Sequence, residues 1–307
     1  MDKPALLVIC GPTGSGKTAL ALSLARRYPL EIISADSRQV YRYMDIGTAK
    51  ATAEEQTVVP HHMIDLIDPD QEFSVAEFVD LARPLIRDIN ARGCLPCIVG
   101  GTGLYIKALL GGLAELPGGD DDLRRELHQR ELDEGDGTLH RELQRLDPES
   151  AAVIHPGNLV RIVRALEVVI LSGQQLSQLK ARHGFSEQLY NVVQLAPDWS
   201  RDDLYARIDK RAQQMLDEGL VEEVVALLSR YPDDLKAFET LGYREVISHL
   251  KGQLSAEQML EDIRKYTRRY AKRQLTWFRR EEGIIWVDSS DESGKVIQSI
   301  DYLMPAR

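Results

Sequence analysis

The sequence predicts an α/β protein in which a parallel sheet with flanking helices is interrupted by an all-helical insertion. Short apolar runs at 6–10, 31–34 and 95–99 are each followed by a polar or glycine-rich loop, and helical patterns come after them. From residue 122 to about 183 the chain is strongly charged and shows only helical patterns, before an alternating strand resumes at 190–195. Repeated strand–loop–helix units predict parallel neighbouring strands.

The domain boundaries follow from the change of pattern after Gly111-Gly112, where a turn-rich segment begins. We predict an α/β core formed by residues 1–112 and 188–307, with residues 113–187 as the helical insertion. A first helix is predicted at 19–27 and a long one at 75–91, from apolar residues at helical spacing. In the second half of the core the patterns predict helices at 202–218, 221–230, 244–251 and 256–279, and a last strand at 284–287.

The composition is that of an ordinary globular protein, with 43% hydrophobic and 28% charged residues among 307. We find no signal-peptide pattern and no apolar run long enough to span a bilayer, so we expect a cytoplasmic protein without a membrane partner. The three cysteines exclude a disulfide framework. Cys94 and Cys97 have CxxC spacing, but an apolar run begins at Cys97, which favours buried strand residues over a redox or metal pair.

The charge is distributed unevenly. The net charge is −10, yet the segment 264–280 carries eight basic residues and no acid. On a helix they would form a stripe suited to phosphates, or a solvated face that neutralises acidic neighbours; both interpretations stay open. The eight are Arg264, Lys265, Arg268, Arg269, Lys272, Arg273, Arg279 and Arg280.

A phosphate-binding loop follows the first strand and matches the pattern G-x-x-x-x-G-K-[ST]. Glycines let successive backbone N–H groups face an anion, and the helix that follows adds partial positive charge. Lys17 supplies a full charge, and Thr18 offers a hydroxyl to Mg²⁺. The core is therefore expected to be P-loop NTPase-like. The loop residues are Gly11, Pro12, Thr13, Gly14, Ser15, Gly16, Lys17 and Thr18.

The loop specifies a polyphosphate but not a reaction. A nucleotide hydrolase or kinase should also have an apolar strand that ends in Asp. Here the strand at 95–99 ends in Gly100-Gly101-Thr102, which weakens the ATPase interpretation. Asp36 instead follows the second strand, at the sheet edge where ligands bind in open α/β folds. It could ligate Mg²⁺ through water or act as a general base; the alternative is a turn or capping aspartate.

Three weaker patterns favour structural roles. His61 and His62 are adjacent on an expected loop and lack a third ligand, so hydrogen bonding is favoured over metal binding. Asp120-Asp121-Asp122 is similar to the aspartate pair of prenyl-diphosphate enzymes, but it stands where a helix must start, which favours capping. Trp277 and Phe278 could stack on bases, although aromatic residues at helical spacing usually belong to a core.

Several segments, in order along nearly the whole chain, resemble the bacterial tRNA dimethylallyltransferase family, which prenylates the adenine 3′ of the anticodon. Together they are far more specific than the phosphate loop alone. Besides that loop, the matching segments are 36–42 (DSRQVYR), 44–50 (MDIGTAK), 61–65 (HHMID), 100–105 (GGTGLY), 161–168 (RIVRALEV), 242–245 (GYRE), 270–274 (YAKRQ) and 276–278 (TWF).

The resemblance implies a reaction and its parts. Residues 13–18 would hold dimethylallyl diphosphate with Mg²⁺ near Thr18, Asp36 would be the general base, and Lys17, Thr102 and Arg124 would act in catalysis. The partner would be the anticodon stem-loop of tRNA, and a monomer is expected because one subunit supplies all the parts. Where the family commonly has Gln, this chain has Val160, which cannot hydrogen-bond RNA through its side chain. The residues expected to contact tRNA are Asp36, Ser37, Arg38, Gln39, Val160, Arg161, Ile162, Val163, Arg164, Thr240, Leu241, Gly242, Tyr243, Arg244 and Glu245.

Three other functions compete with this one. A kinase of a small metabolite would consume ATP and need an acid that we cannot place. A prenyltransferase that acts on free adenylate would share the loop and Asp36 but have little use for the insertion. A non-catalytic RNA-binding protein would have no reason to keep Lys17, Thr18 and Asp36 intact.

Overall fold

The structure is a computed structural model that describes residues 3–114, 116–183, 187–288 and 294–304. It divides the chain into two compact units. One comprises residues 1–109 and 189–307, and we call it the core unit; the other, residues 110–188, is the helical unit.

The core unit has a parallel sheet with the strand order β3-β2-β4-β1-β5-β6. Its strands are β1 (Ala5–Cys10), β2 (Leu30–Ser34), β3 (His61–His62), β4 (Leu95–Gly100), β5 (Asn191–Asp198) and β6 (Ile284–Asp288). Every adjacent pair is parallel, which confirms the predicted sheet. All residues of β2 and β4 are buried, as expected for strands covered on both faces.

Helices of the core unit surround this sheet. They are α1 (Lys17–Ala25), α2 (Ala53–Val58), α3 (Val75–Ala91), α4 (Gly103–Gly111, which runs into the helical unit), α10 (Arg201–Asp217), α11 (Leu220–Leu228), α12 (Tyr243–Leu250), α13 (Ala256–Phe278) and α14 (Gly294–Leu303). Long helices begin at side-chain caps: the Ser74 and Ser255 side chains accept from the backbone N–H three residues on. Since β1, β2, β4 and β5 are parallel, the loops after them meet at one sheet edge.

The helical unit contains α5 (Asp121–Glu134), α6 (Thr138–Leu146), α7 (Pro148–Val153), α8 (Leu159–Ser172) and α9 (Leu176–His183). Its own apolar cluster includes Leu127, Leu143, Ile162 and Leu166. Asp120 caps α5 by accepting from the Leu123 N–H at 2.9 Å, as favoured from the sequence. Between residues 116 and 183 every regular element that the structure describes is a helix.

Some expectations differ from the structure. The first helix begins at Lys17 instead of residue 19, because the phosphate loop leads directly into it. His61 and His62 form a short edge strand paired with β2, where we expected a loop. Helix α14 was not expected; its Ile300 and Leu303 pack on the sheet. Among the described residues, no helix has both the length and the apolar character needed to cross a bilayer.

Candidate active site

The phosphate loop curls between β1 and α1 with backbone conformations that favour glycine. Gly14 has φ 80° and Gly16 has φ 87°, values that other residues adopt only with strain. Gly16 precedes α1 without any capping side chain, which leaves the first N–H groups of the helix free for an anion. The Ser15 hydroxyl is buried without a hydrogen-bond partner among the described residues. A ligand oxygen would remove the cost of that unsatisfied group.

Two side chains hold the outer side of this loop. The Trp199 indole donates to the Ser15 carbonyl at 2.8 Å, and the Arg207 guanidinium donates to the Gly14 carbonyl at 2.9 Å. The guanidinium of Arg207 lies 4.3 Å from the centroid of a Trp199 ring, so the two also stack. These two donors fix the Gly14 and Ser15 carbonyls. The peptide groups of the loop therefore keep their orientation without a ligand.

Two cations lie inside the loop region. Lys17 donates to the Pro12 carbonyl at 2.8 Å, and burial lowers its pKa to about 8 although the Asp36 carboxylate opposes this shift. Burial also lowers the pKa of Arg211, and Asp36 again opposes the shift. Within the described chain Arg211 has no carboxylate at salt-bridge distance. Two partly desolvated cations without close counter-ions favour an anionic ligand here.

Asp36 and Thr102 lie on the neighbouring side of the same sheet edge. The Asp36 carboxylate accepts from the Arg38 N–H at 2.8 Å, so it stabilises a turn as well as facing the cations. The Thr102 hydroxyl accepts from the Ser37 N–H at 3.1 Å, and the Thr102 N–H donates to the Ala35 carbonyl at 3.2 Å. Burial, and to a lesser extent the charge of Asp36, raise the pKa of Tyr270 to about 12.

The segments expected to contact RNA are only partly exposed. Gln39 bonds the Ser34 hydroxyl and the Thr48 and Ala49 carbonyls, so its side chain is committed to the fold. In 160–164 the side chains of Ile162 and Val163 are buried, which leaves Val160 and Arg161 on the surface. In 240–245 only Arg244 is exposed; Thr240, Tyr243 and Glu245 are buried, and Leu241 and Gly242 shape the entry to α12.

Arg124, which we expected to act in catalysis, lies in the helical unit. Its Nε is 2.8 Å from the fully buried carboxylate of Glu167, and its Nη1 donates to Asp121 at 3.1 Å. Arg164 pairs with the same glutamate and donates to the Pro117 carbonyl at 2.9 Å. Arg124 and Arg164 therefore stabilise the start of α5 against α8, because a buried carboxylate needs such partners.

The basic residues of segment 264–280 differ in whether a carboxylate pairs with them. Arg268 pairs with Asp209 at 2.7 Å and Arg279 with Asp198 at 2.6 Å. In the described chain, four exposed basic residues have no carboxylate within salt-bridge distance: Arg269, Lys272, Arg273 and Arg280. The last three line a groove of about 550 Å³ together with Trp277 and Lys107. Phe278 is buried, as expected for a core aromatic.

The weaker candidates have structural roles. His62 contacts the Glu31 carboxylate at 2.7 Å and His61 the Val59 carbonyl at 2.9 Å, which agrees with hydrogen bonding. Cys97 is buried in β4, and burial raises the pKa of its thiol. The described residues contain no group of three or more side chains that could hold a metal ion.

Four site residues were missed from the sequence: Trp199, Arg207, Arg211 and Gln274. A pattern for two of them exists, because Arg207 and Arg211 are four residues apart on a helix that follows the carboxyl end of β5. Gln274 donates to the Gly101 carbonyl at 2.9 Å and accepts from the Thr13 N–H at 2.8 Å. Its partners are 173 and 261 residues away, which no local pattern reveals.

The fold and the loop after β1 define a P-loop α/β protein with a carboxylate, Asp36, at the same edge of the sheet. The model of the IPP transferase family matches residues 39–281, and that of isopentenyl transferase matches residues 4–64. The chain belongs to the IPP transferase family.

Similar proteins support this membership, because they match this chain over nearly its full length. The chain is 51% identical to tRNA dimethylallyltransferase 1 of Syntrophotalea carbinolica, covering 99% of this chain and 97% of that protein. The crystal structure of a full-length tRNA isopentenylpyrophosphate transferase from Bacillus halodurans is 43% identical, with a TM-score of 0.71 and coverage of 98% and 96%. A eukaryotic dimethylallyltransferase, solved acting on tRNA, is 26% identical with a TM-score of 0.84, covering 97% of this chain and 79% of the eukaryotic one.

Proposed function

We propose that this enzyme transfers the dimethylallyl group of dimethylallyl diphosphate to the exocyclic N6 amine of the adenine 3′-adjacent to the anticodon in tRNA, and releases diphosphate. One observation carries the proposal: a phosphate loop shares its sheet edge with a carboxylate, Asp36, while β4 ends at Gly100 and is followed by Gly101-Thr102, where a nucleotide hydrolase has Asp. The names of the relatives support this proposal, since one is a tRNA dimethylallyltransferase and another a dimethylallyltransferase acting on tRNA.

In this proposal the phosphate loop binds the leaving group, the diphosphate. As the bond between C1 of the dimethylallyl group and the diphosphate oxygen breaks, negative charge accumulates on the leaving oxygens. The free N–H groups at the start of α1, the Lys17 ammonium and the Arg211 guanidinium are suited to stabilise that charge. The Trp199 and Arg207 contacts keep the loop oriented, so little reorganisation is needed during the reaction.

The acceptor side needs a base. The N6 lone pair is delocalised into the adenine ring, and its proton becomes acidic only as the new C–N bond forms. Asp36 takes this proton in our proposal, contributing on the order of a hundredfold to ten-thousandfold to the rate. Thr102, fixed to the backbone of Ser37 and Ala35, lies beside it and positions the acceptor. Exclusion of water protects the allylic cation from capture.

Magnesium fits this site only together with the substrate. Mg²⁺ takes one or two protein oxygens and completes its shell with phosphate oxygens and water. The Thr18 hydroxyl, on the first turn of α1, is the protein group that we propose as its ligand. When bound, the ion neutralises part of the charge on the leaving diphosphate.

RNA binding is proposed for exposed basic residues of each unit. In the core unit these are Arg244 and the unpaired cations at the end of α13 and just after it, together with the half-buried Arg38; in the helical unit Arg161 is the exposed cation of the predicted segment. Contacts of this kind bind phosphates and make affinity depend on salt. The protein is proposed to act as a cytoplasmic monomer.

A transfer assay with competing acceptors tests the function. The enzyme is incubated with Mg²⁺, radiolabelled dimethylallyl diphosphate and an unmodified anticodon stem-loop, with AMP and ATP as acceptors in parallel. We expect label on the RNA alone. Label on AMP would assign the free-nucleotide reaction instead, and ATP turnover without transfer would assign a phosphotransferase.

A further inference from the structure

Gln274 joins the two loops that hold the two proposed substrates. It lies in α13 and is only 8% exposed. Its side-chain oxygen accepts from the Thr13 N–H of the phosphate loop at 2.8 Å. Its side-chain nitrogen donates to the Gly101 carbonyl, in the loop after β4, at 2.9 Å. Both hydrogen-bonding ends of one buried amide are thus used, each on a different loop.

The contact of this amide with Gly101 depends on the absence of a side chain at that residue. A Cβ at Gly101 would overlap the Gln274 side-chain nitrogen, so the glycine is required for the contact. The next residue, Thr102, is bonded to the Ser37 N–H and the Ala35 carbonyl, on either side of Asp36. Hydrogen bonds of Gln274 and Thr102, joined by the peptide bond between Gly101 and Thr102, therefore connect the phosphate loop to the two residues that flank the proposed base.

The bond to Thr13 also determines which N–H groups of the phosphate loop remain available to a ligand. We expected residues 13–18 to hold the diphosphate, but the Thr13 N–H is directed to Gln274. The Ser15 N–H donates to the Pro12 carbonyl at 3.4 Å, so the N–H groups at the start of α1 are the ones left for the ligand. Gln274 thereby determines where the diphosphate sits relative to the loop after β4.

We propose that Gln274 is a positioning residue that keeps the diphosphate loop and the acceptor side in register, so that ionisation of the prenyl diphosphate occurs with N6 in line. The inference rests on the proposed prenyl transfer. Reactions of this kind are sensitive to such alignment: a misplacement of about 1 Å can cost about a hundredfold in rate.

The alignment of the two substrates can be measured from the share of allylic groups that is transferred to N6 and the share that is captured by water. In each outcome the C1–O bond breaks and its electron pair leaves with the diphosphate. In transfer, N6 forms the bond to C1 and its proton passes to Asp36. In hydrolysis, a water oxygen forms that bond, loses its proton to solvent and yields dimethylallyl alcohol. Misalignment of the substrates should increase dimethylallyl alcohol at the expense of prenylated RNA. A general loss of protein stability should lower both products together.

The test compares Gln274→Met, which keeps length and loses both bonds, with Gln274→Glu, which keeps an acceptor for Thr13. Gln258→Met is the matched control, because Gln258 lies on the same helix, is exposed and bonds only Ser255 at its start. Alcohol and prenylated RNA are measured with saturating labelled dimethylallyl diphosphate and stem-loop, together with the stem-loop Kd and the melting temperature.

We expect Gln274→Met to raise the alcohol-to-RNA product ratio about tenfold and to lower kcat by about ten- to a hundredfold, with the stem-loop Kd changed less than about threefold. Gln274→Glu should lie between Gln274→Met and the unaltered enzyme, and Gln258→Met should keep the unaltered ratio. An unchanged ratio in Gln274→Met, or in Gln274→Glu where the first variant does not fold, would overturn the positioning role. Absence of RNA product from the unaltered enzyme is a distinct result, which would overturn the proposed function itself.

Discussion

Asp36 combines a structural contact with the proposed chemical role, and one substitution separates them. In Asp36→Asn the side-chain oxygen can still accept from the Arg38 N–H, so the turn is kept while the base is lost. We expect kcat to fall by roughly a hundredfold to ten-thousandfold in single-turnover transfer, with the stem-loop Kd within about threefold. Asp70→Asn, at an exposed residue, is the control. A kcat near that of the unaltered enzyme would reject Asp36 as the base.

Lys17 makes diphosphate binding dependent on pH in a defined direction. Burial lowers its pKa to about 8, so the amine is half deprotonated at that pH and mostly neutral above it. A bound anion favours the charged form, which means that binding above pH 8 must take up a proton. The affinity for inorganic diphosphate should therefore fall by up to about tenfold per pH unit above this value.

Calorimetry in two buffers with different ionisation enthalpies measures this proton uptake at a pH just above 8. Lys17→Arg is the control, because a guanidinium stays charged over this range and should remove the uptake. Equal apparent enthalpies in both buffers for the unaltered enzyme would contradict the assignment of Lys17 to the anion.

Helix α13 carries the element-scale prediction. Lys272 and Arg273 are exposed, and neither has a carboxylate partner in the described part of the chain, so both are available to phosphates. The double variant Lys272→Ser/Arg273→Ser should weaken stem-loop binding and reduce the slope of log K against log salt by roughly 1.4 to 1.8, the value for two lost phosphate contacts. Filter binding over a range of salt concentrations measures it.

A charge-matched control lies at the opposite edge of the sheet. Arg26 and Arg27 are exposed at the end of α1, which leads away from the site towards the start of β2. Their double replacement by Ser changes the net charge equally and should leave the salt slope nearly unaltered. Equal effects of both double variants would mean that α13 acts only through the overall charge.

Elements were predictable where a local pattern determines them. The apolar runs of β1, β2 and β4 and the spacing in α3 were sufficient, since buried parallel strands and amphipathic helices have distinct periods. The edge strand at His61–His62 was missed because two residues make no pattern, and it exists only through pairing with β2. The burial of Ile162 and Val163 likewise depends on the helical unit's own packing.

At the scale of the whole molecule, the candidate site is formed by segments that are far apart in the sequence. The phosphate loop and Asp36 were found from the sequence because a motif and a strand end mark them. Arg211 and Gln274 reach the same edge from α10 and α13, and their side chains could be assigned only once the sheet order was known. Long-range hydrogen bonds and desolvated charges, which sequence patterns do not encode, define that half of the site.

The most direct test of prenyl transfer to one adenine is to locate the product in the RNA. An unmodified anticodon stem-loop is reacted in single turnover, digested to nucleosides and analysed by mass spectrometry, beside a stem-loop with guanine at the position 3′ of the anticodon. Transfer to that adenine alone should give N6-dimethylallyl adenosine from the first RNA and no prenylated nucleoside from the second. Prenylation of both RNAs, or of another position, would contradict it.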